Sequence, residues 1–242
     1  MKPLIFAHRG ASGSFPENTL KAFQQAVKAN ADGVTLSVQL SKDFIPVLIH
    51  DRTVNRTTDG QGLVSHYTAN ELKQLNAAAH HNAQIREPVL LLEDCISWLK
   101  DHPKLQVVME LRSYNVNSKR LLDTIIPLVD QEEMKHRVVL ASYDHILLSE
   151  IKTASQQLTI APLMEGRLWD AVHYLNSMQA KSYFLGAQYV SRELVHQLEE
   201  YDMSVGAHST NDTLTLKKLM NTGIATIFSD FPARAIHVRD HL

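Results

Sequence analysis

Two histidines within the first 50 residues are the side chains best suited to chemistry. His8 and His50 each end a short apolar run, LIFAH and PVLIH, and Arg9 directly follows the first of them. Two imidazoles can act as a general acid and a general base, and a neighbouring guanidinium can bind an anion. This combination suits the opening of a phosphodiester, because that reaction moves protons and develops negative charge on phosphoryl oxygens.

Short apolar runs alternate with amphipathic stretches along the chain. Several runs are apolar at successive positions, which is typical of strands buried on both faces. Amphipathic helices fill the gaps; Asn18 and Thr19, for example, can cap a helix with Leu20, Phe23 and Val27 on one face. This alternation predicts a parallel sheet with right-handed crossovers. The nine predicted strands are 4–8, 33–38, 46–50, 106–111, 138–142, 159–164, 183–188, 203–208 and 225–230.

One of the nine strands cannot belong to the parallel set. Only five residues separate the runs 33–40 and 46–50, whereas a parallel crossover needs about a dozen or more. The second run is therefore predicted to return antiparallel, in a hairpin arm covering about residues 39–62. The remaining eight strands predict a TIM (β/α)8 barrel with a β-hairpin insertion after strand 2, in a single domain over residues 1–242.

Polar residues stand at the predicted carboxyl ends of these strands. In a (β/α)8 barrel these ends form the catalytic face, so we expect one polar site there. Asp230, at the last strand, is expected to accept a hydrogen bond that closes a loop. The polar ring consists of His8, Arg9, Thr35, Ser37, Glu110, Arg112, Ser142, Tyr143, Glu165, Gln188, His208, Ser209 and Asp230.

The composition argues against several classes of protein. A net charge of −2 does not favour general binding to nucleic acid or to an anionic membrane surface. The chain has no signal-peptide pattern and no apolar run near the ~20 residues of a membrane span, so we expect a cytoplasmic protein without integral membrane contact. The single cysteine, Cys95, allows no internal disulfide and indicates a reducing compartment; its apolar neighbours predict that it is buried.

A series of short motifs spans nearly the whole chain. The series includes His8-Arg9-Gly10, Pro16-Glu17-Asn18-Thr19, His50-Asp51, Arg56-Thr57-Thr58, Met109-Glu110-Leu111-Arg112 and Ser229-Asp230-Phe231-Pro232. It resembles the glycerophosphodiester phosphodiesterase family. The resemblance implies a TIM barrel that hydrolyses a small-molecule substrate, a glycerophosphodiester, to glycerol 3-phosphate and an alcohol, with a place in lipid and glycerol metabolism.

The resemblance also implies roles for individual residues. His8 and His50 match the family's general acid and base, and Arg9 matches its phosphate-binding arginine. Arg112 replaces a family lysine and keeps a positive charge that can bind phosphate in a bidentate manner. Three further residues are expected to complete the substrate-binding set, namely Glu17, Asn18 and His208.

The metal site that the resemblance implies is incomplete in this sequence. The family holds Ca²⁺ or Mg²⁺ with a Glu-x-Asp pair on strand 2 and a further glutamate on the next parallel strand. The pair falls on Thr35 and Ser37 here. Of the three positions that carry metal-binding carboxylates in the family, only that of Glu110 keeps a candidate metal ligand. Two neutral hydroxyls supply no charge to offset the dehydration of a hard cation. A plain ion pair between Glu110 and Arg112 is the alternative.

Three functions fit these residues. The first is hydrolysis by the two histidines with arginines in place of the metal, and we take it as the main hypothesis. The second is a degenerate family member that binds phosphorylated ligands without metal or turnover. The third is a barrel used only as an interaction scaffold, which no feature of the composition favours.

Overall fold

The computed structural model describes residues 2–81, 85–114, 118–208 and 210–242, and it confirms the predicted TIM barrel. Eight parallel strands form the barrel, and β1 closes it by pairing with both β2 and β9. β3 pairs antiparallel with β2, which confirms the hairpin insertion. The strands are β1 (Leu4–Ala7), β2 (Gly33–Leu40), β3 (Pro46–Leu48), β4 (Gln106–Leu111), β5 (Val138–Ser142), β6 (Thr159–Met164), β7 (Ser182–Gly186), β8 (Ser204–His208) and β9 (Thr226–Ser229).

Helices connect the strands in the expected order. The sequence did not predict α2, α5 and α10. The first two are short, and the apolar residues of α10 are spread around the helix and show little helical period. No helix in the described ranges is both long and apolar enough to cross a bilayer. The helices are α1 (Leu20–Lys28), α2 (Ala69–Gln74), α3 (Leu92–Lys100), α4 (Ser118–Val129), α5 (Glu132–Lys135), α6 (His145–Ala154), α7 (Ala171–Ser177), α8 (Arg192–Glu199), α9 (Thr213–Met220) and α10 (Pro232–Asp240).

Apolar side chains fill both sides of the barrel wall. The larger cluster lies between the strands and the surrounding helices and includes Cys95, which is buried as predicted; burial raises the pKa of its thiol to about 12. A smaller cluster contains inward-facing strand residues, among them Phe6, Phe184 and Phe228. The rings of Phe184 and Phe228 pack edge to face, with their centroids 4.8 Å apart. Because Phe228 also lines the cavity described below, this cluster forms the cavity floor.

Gly10 allows the loop after β1 to pass close to α1. Its φ of +82° lies in the left-handed region, and an added Cβ would lie 2.6 Å from the Cβ of Ala22 and 2.7 Å from its backbone carbonyl carbon. Both features exclude larger side chains at this position. The loop that carries Arg9 therefore depends on glycine for its path against the helix.

We expect Gly10→Ala to lower the free energy of unfolding by about 2–4 kcal/mol, because left-handed strain and a steric clash with α1 add together. Gly166→Ala is the matched control, since an added Cβ there meets no atom within 4 Å. Denaturant unfolding of both variants measures the difference. Equal stability of the two variants would contradict the packing argument.

Candidate active site

A cavity of about 760 Å³ opens at the carboxyl ends of the strands. The structure brings most of the predicted polar ring to its walls, while Ser37 and Asp230 lie outside the lining and Ser209 lies outside the described residues. Glu17 and Asn18 are also not among the lining residues. The predicted site residues that do line it are His8, Arg9, Thr35, His50, Glu110, Arg112, Ser142, Tyr143, Glu165, Gln188 and His208.

A carboxylate holds the ring of His8. Nδ1 of His8 lies 2.8 Å from Oδ1 of Asp230. Oδ1 also accepts a hydrogen bond from the hydroxyl of Ser12, and Oδ2 accepts one from the side chain of Asn211. Burial raises the pKa of Asp230, but the hydrogen bond from His8 and the other donors outweigh it and bring the pKa to about 2. An ionised carboxylate can only accept, so Nδ1 carries the hydrogen. Nε2 of His8 is therefore the nitrogen left for chemistry in the cavity.

His50 has the same arrangement on the hairpin arm. Its Nδ1 lies 2.8 Å from Oδ1 of Asp51, and its Nε2 lies 3.9 Å from Oε2 of Glu110. Hydrogen bonds from Arg56 hold the pKa of Asp51 well below its usual value, so this carboxylate also accepts from Nδ1. Burial, together with the charge of Arg9, lowers the pKa of His50. A neutral His50 with an open lone pair on Nε2 is suited to act as a general base.

Arg9 and Asn18 shape the loop that follows β1. Both adopt left-handed backbone conformations, with φ of 57° and 55°. The backbone N–H of Arg9 donates to Oγ1 of Thr35 at 2.9 Å, and the side chain of Asn18 accepts from the backbone N–H of Ser37 at 3.1 Å. Thr19 caps α1 by accepting from Ala22, as predicted. These bonds dock the loop onto β2 and bring Arg9 to the cavity wall.

Glu110 is bonded through both of its carboxylate oxygens. Oε1 forms an ion pair with the guanidinium of Arg112, and Oε2 accepts a hydrogen bond of 2.9 Å from the hydroxyl of Ser37. Burial raises the pKa of Glu110, but Arg112 and His50 outweigh it, so the pKa lies below its usual value. Arg112 also donates to the hydroxyl of Tyr114. The ion pair considered in the sequence analysis is therefore present.

The residues at the family's metal position do not fit a divalent cation. The hydroxyl of Thr35 already accepts from Arg9, and that of Ser37 donates to Glu110. Within the described ranges, no group of three His, Cys, Asp or Glu side chains is arranged to hold a metal ion. Two buried atoms without a hydrogen-bond partner here, Nε of Arg9 and Nδ2 of Asn18, are donors. These two donors need a hydrogen-bond acceptor as their partner. A cation would instead need several anionic oxygens, which these residues do not supply.

The opposite wall of the cavity combines an aromatic ring with ionisable groups. The hydroxyl of Tyr143 donates to Glu165 at 2.9 Å and lies 3.5 Å from Nε2 of His208. Burial lowers the pKa of His208, and burial with Glu165 raises that of Tyr143. Both side chains are therefore neutral hydrogen-bonding groups near pH 7.

The sequence did not predict the contacts that three residues make around the site. Asp230 was expected only to close a loop, yet it holds His8. Tyr114 was not considered, although it bonds Arg112. Arg56 belongs to a quoted motif, and its guanidinium joins Glu17 to Asp51. Two quoted motifs, those around Arg56 and Asp230, contained two of these residues, but neither motif indicated which partner the side chain would meet.

Comparison with known proteins connects this geometry to one family. The model of the glycerophosphoryl diester phosphodiesterase family matches residues 8–234. Glycerophosphodiester phosphodiesterases of Bacillus altitudinis and Caldanaerobacter subterraneus are each 30% identical to the chain, with 98% of both chains covered in each case. A phosphodiesterase of Oleispira antarctica, solved with its product sn-glycerol-3-phosphate, is 25% identical with a TM-score of 0.91 and covers 98% of this chain and 97% of its own.

Proposed function

The chain belongs to the glycerophosphoryl diester phosphodiesterase family, and we propose that it hydrolyses glycerophosphodiesters to glycerol 3-phosphate and an alcohol without a metal ion. Membership confirms the resemblance inferred from the motifs. The proposal rests on one observation: His8 and His50 line one cavity, each with Nδ1 held by an ionised carboxylate and Nε2 left for chemistry. A cytoplasmic location, a single domain and a place in lipid and glycerol metabolism remain predictions.

The two histidines divide the proton transfers. His50 accepts a proton from the attacking oxygen, which is the glycerol 2-hydroxyl or a water, because its pKa is lowered and its Nε2 carries a lone pair. His8 donates a proton from Nε2 to the oxygen of the departing alcohol. A cyclic phosphate formed by the 2-hydroxyl would be opened by water with the two roles exchanged. Along the route through the cyclic phosphate, the net reaction consumes one water and leaves both histidines in their starting states. After direct attack by water, His50 must release its proton to solvent and His8 must take one up before the next turnover.

Arginines supply the positive charge at the phosphoryl group. Arg9 and Arg112 line the same cavity as the histidines. Guanidinium groups match phosphate oxygens in a planar, bidentate geometry, so they can stabilise charge that develops in the transition state. The Oleispira relative was solved in complex with sn-glycerol-3-phosphate, which supports a ligand of this class for the chain. We therefore assign Arg9 and Arg112 to the phosphate and place Glu17 and Asn18 behind them as supports.

One observation favours a second function, the binding of phosphorylated ligands without turnover. Glu110 is tied to Arg112 and Ser37, so Arg112 is already paired with a carboxylate before a ligand arrives. A phosphate that merely replaces this carboxylate on Arg112 would be bound with little preference for the transition state. Such a protein would hold glycerol 3-phosphate and release no product from a diester.

Release of glycerol 3-phosphate from glycerophosphocholine and glycerophosphoethanolamine tests the proposal. We expect turnover in EDTA to stay within about 2-fold of turnover with added Mg²⁺ or Ca²⁺, because the residues at the metal position do not hold a cation. His8→Ala is expected to abolish turnover. Calorimetric titration with glycerol 3-phosphate accompanies the assay.

Two other outcomes would contradict metal-free hydrolysis. Activity that EDTA removes and Mg²⁺ restores would show that a cation is required. Binding of glycerol 3-phosphate with no turnover under any condition would establish the second function, provided that the protein is folded. An Arg112→Met variant then tests whether that binding depends on the guanidinium.

A further inference from the structure

We propose that Arg56 is a positioning residue that sets the geometry between the two halves of the catalytic site. Its guanidinium lies between Glu17, on the loop after β1, and Asp51, on the hairpin arm; we call these three residues the Arg56 clamp. The inference rests on the proposed function, because it concerns how His8, Arg9 and His50 are held for that reaction.

The clamp is bidentate toward both carboxylates. Nη1 and Nη2 of Arg56 donate to Oε2 and Oε1 of Glu17 at 2.7 and 2.9 Å. Nε and Nη2 donate to Oδ2 and Oδ1 of Asp51 at 2.6 and 2.9 Å. Only a planar guanidinium has enough donors in a fixed arrangement to hold two carboxylates in this way.

Each carboxylate of the clamp also holds a residue of the proposed site. Oε1 of Glu17 accepts from Nη1 of Arg9 at 3.1 Å, and Oδ1 of Asp51 lies 2.8 Å from Nδ1 of His50. A continuous chain of charged hydrogen bonds therefore runs from Arg9, next to His8, to His50. The hairpin arm and the loop after β1 are far apart in sequence, so this chain fixes one against the other.

The charges of this chain are balanced. Hydrogen bonds from Arg56 lower the pKa of Asp51, and the pKa of Glu17 is also lowered, because Arg56 and Arg9 outweigh the effect of burial. Two ionised carboxylates thus face two guanidiniums, those of Arg9 and Arg56. Loss of Arg56 would leave Glu17 and Asp51 as two anions facing each other across the arm and the loop, so the arm would be pushed outward.

Arg56 acts through other residues and not on the substrate. Its side chain is 48% exposed, and it is absent from the described residues that line the cavity. A substitution should therefore misplace His50 without removing a group that binds substrate. Misplacement of a catalytic group by about 1 Å can reduce the rate by about 10²-fold. Glu17 keeps its direct hydrogen bond to Arg9 when Arg56 is replaced, so phosphate binding persists. The loss should therefore fall on kcat and leave KM largely unchanged.

Kinetics of three variants test the clamp. We expect Arg56→Gln to lower kcat by about 10- to 100-fold with KM within about 3-fold of wild type. Arg56→Lys should recover part of the loss, since one ammonium keeps the charge but cannot bridge both carboxylates in a bidentate manner. Arg52→Gln is the matched control, as an exposed arginine of the same segment, and should leave both constants unchanged. An unchanged kcat in Arg56→Gln, or a rise in KM alone, would overturn the proposal.

A spectroscopic measurement makes the test independent of turnover. In ¹⁵N-labelled protein, the Nδ1–H proton of His50 should give a downfield signal, assigned by its loss in His50→Asn. We expect this signal to broaden or disappear in Arg56→Gln and to persist in Arg52→Gln. A signal that persists in Arg56→Gln, or is missing in wild type, would overturn the clamp. If wild type proves inactive, the proposed function fails and this signal alone decides on the clamp.

Discussion

His50→Asn and His8→Asn are each expected to lower kcat for release of glycerol 3-phosphate by about 10³-fold, within the range of 10²–10⁴ that general acid–base catalysis supplies. Asparagine cannot exchange a proton at neutral pH, although it keeps a polar group beside Asp51 or Asp230. Both histidines are partly exposed and neither belongs to the apolar core, so the folded state should persist. Steady-state kinetics and thermal unfolding measure the two effects separately.

The matched control is His196→Asn, on α8, whose side chain is 74% exposed. It should leave kcat unchanged. The double variant His8→Asn with His50→Asn should lose little more than either single variant, because residues that act as a unit are not additive. Normal turnover in either single variant would remove that histidine from the mechanism.

The pH profile of kcat/KM gives a further readout of the same prediction. His50 must be neutral to accept a proton, and burial with the charge of Arg9 lowers its pKa. Activity should therefore rise with pH through this pKa, and the acid limb should lie below the ordinary histidine value of about 6.5. His50→Asn should remove this limb from whatever activity remains. An acid limb above pH 7 in wild type would contradict a lowered pKa for His50.

Thr35→Glu combined with Ser37→Asp is expected to convert the site into one that depends on a divalent cation. Thr35 and Ser37 are only 5% and 1% exposed, and the hydroxyl of Ser37 lies 2.9 Å from Glu110. Two more carboxylates at these positions would be buried beside Glu110 with too few cations to neutralise them. We expect a loss of about 3–5 kcal/mol of stability in EDTA, the usual cost of an uncompensated buried charge.

Ca²⁺ or Mg²⁺ should recover a large part of this loss, because hard cations prefer clustered carboxylate oxygens. An ion present at 100 times its dissociation constant adds about 2.7 kcal/mol to the free energy of unfolding. In a chain of this size, that gain corresponds to a rise in Tm of about 5–10 °C. Thermal unfolding with EDTA or added ion measures it, and wild type should shift by less than about 1 °C.

The isosteric pair Thr35→Gln with Ser37→Asn is the control for this prediction. It matches the size of the introduced side chains but adds no charge, so its Tm should not respond to the ion. A double carboxylate variant whose Tm also ignores Ca²⁺ and Mg²⁺ would show that Arg112 keeps Glu110 occupied. If turnover rises together with metal binding, the rest of the family site is intact in this chain.

The barrel was predictable because its signals are local. Runs of apolar residues locate strands, and the five residues between β2 and β3 are too few for a parallel crossover, which identifies the hairpin without any tertiary information. α10 was missed because its apolar residues do not follow a helical period. Phe44, at the hairpin tip, adopts φ of 62°, and Arg120 stacks over its ring at 4.8 Å, a contact that no local pattern indicates.

The residue types of the site were also readable from the sequence, since His8, His50, Arg9 and Arg112 stand at strand ends or in motifs. Their partners were not. Asp230 reaches His8 only because β9 closes the barrel against β1, and Ser37 meets Glu110 because the register of β2 and β4 places them side by side.

Sequence alone determined the barrel, the hairpin and the candidate chemistry, because each depends on spacing along the chain. Only the tertiary structure decided that Asp230 holds His8 and that Arg56 joins Glu17 to Asp51, because residues this far apart along the chain meet only through barrel closure and the path of the hairpin arm.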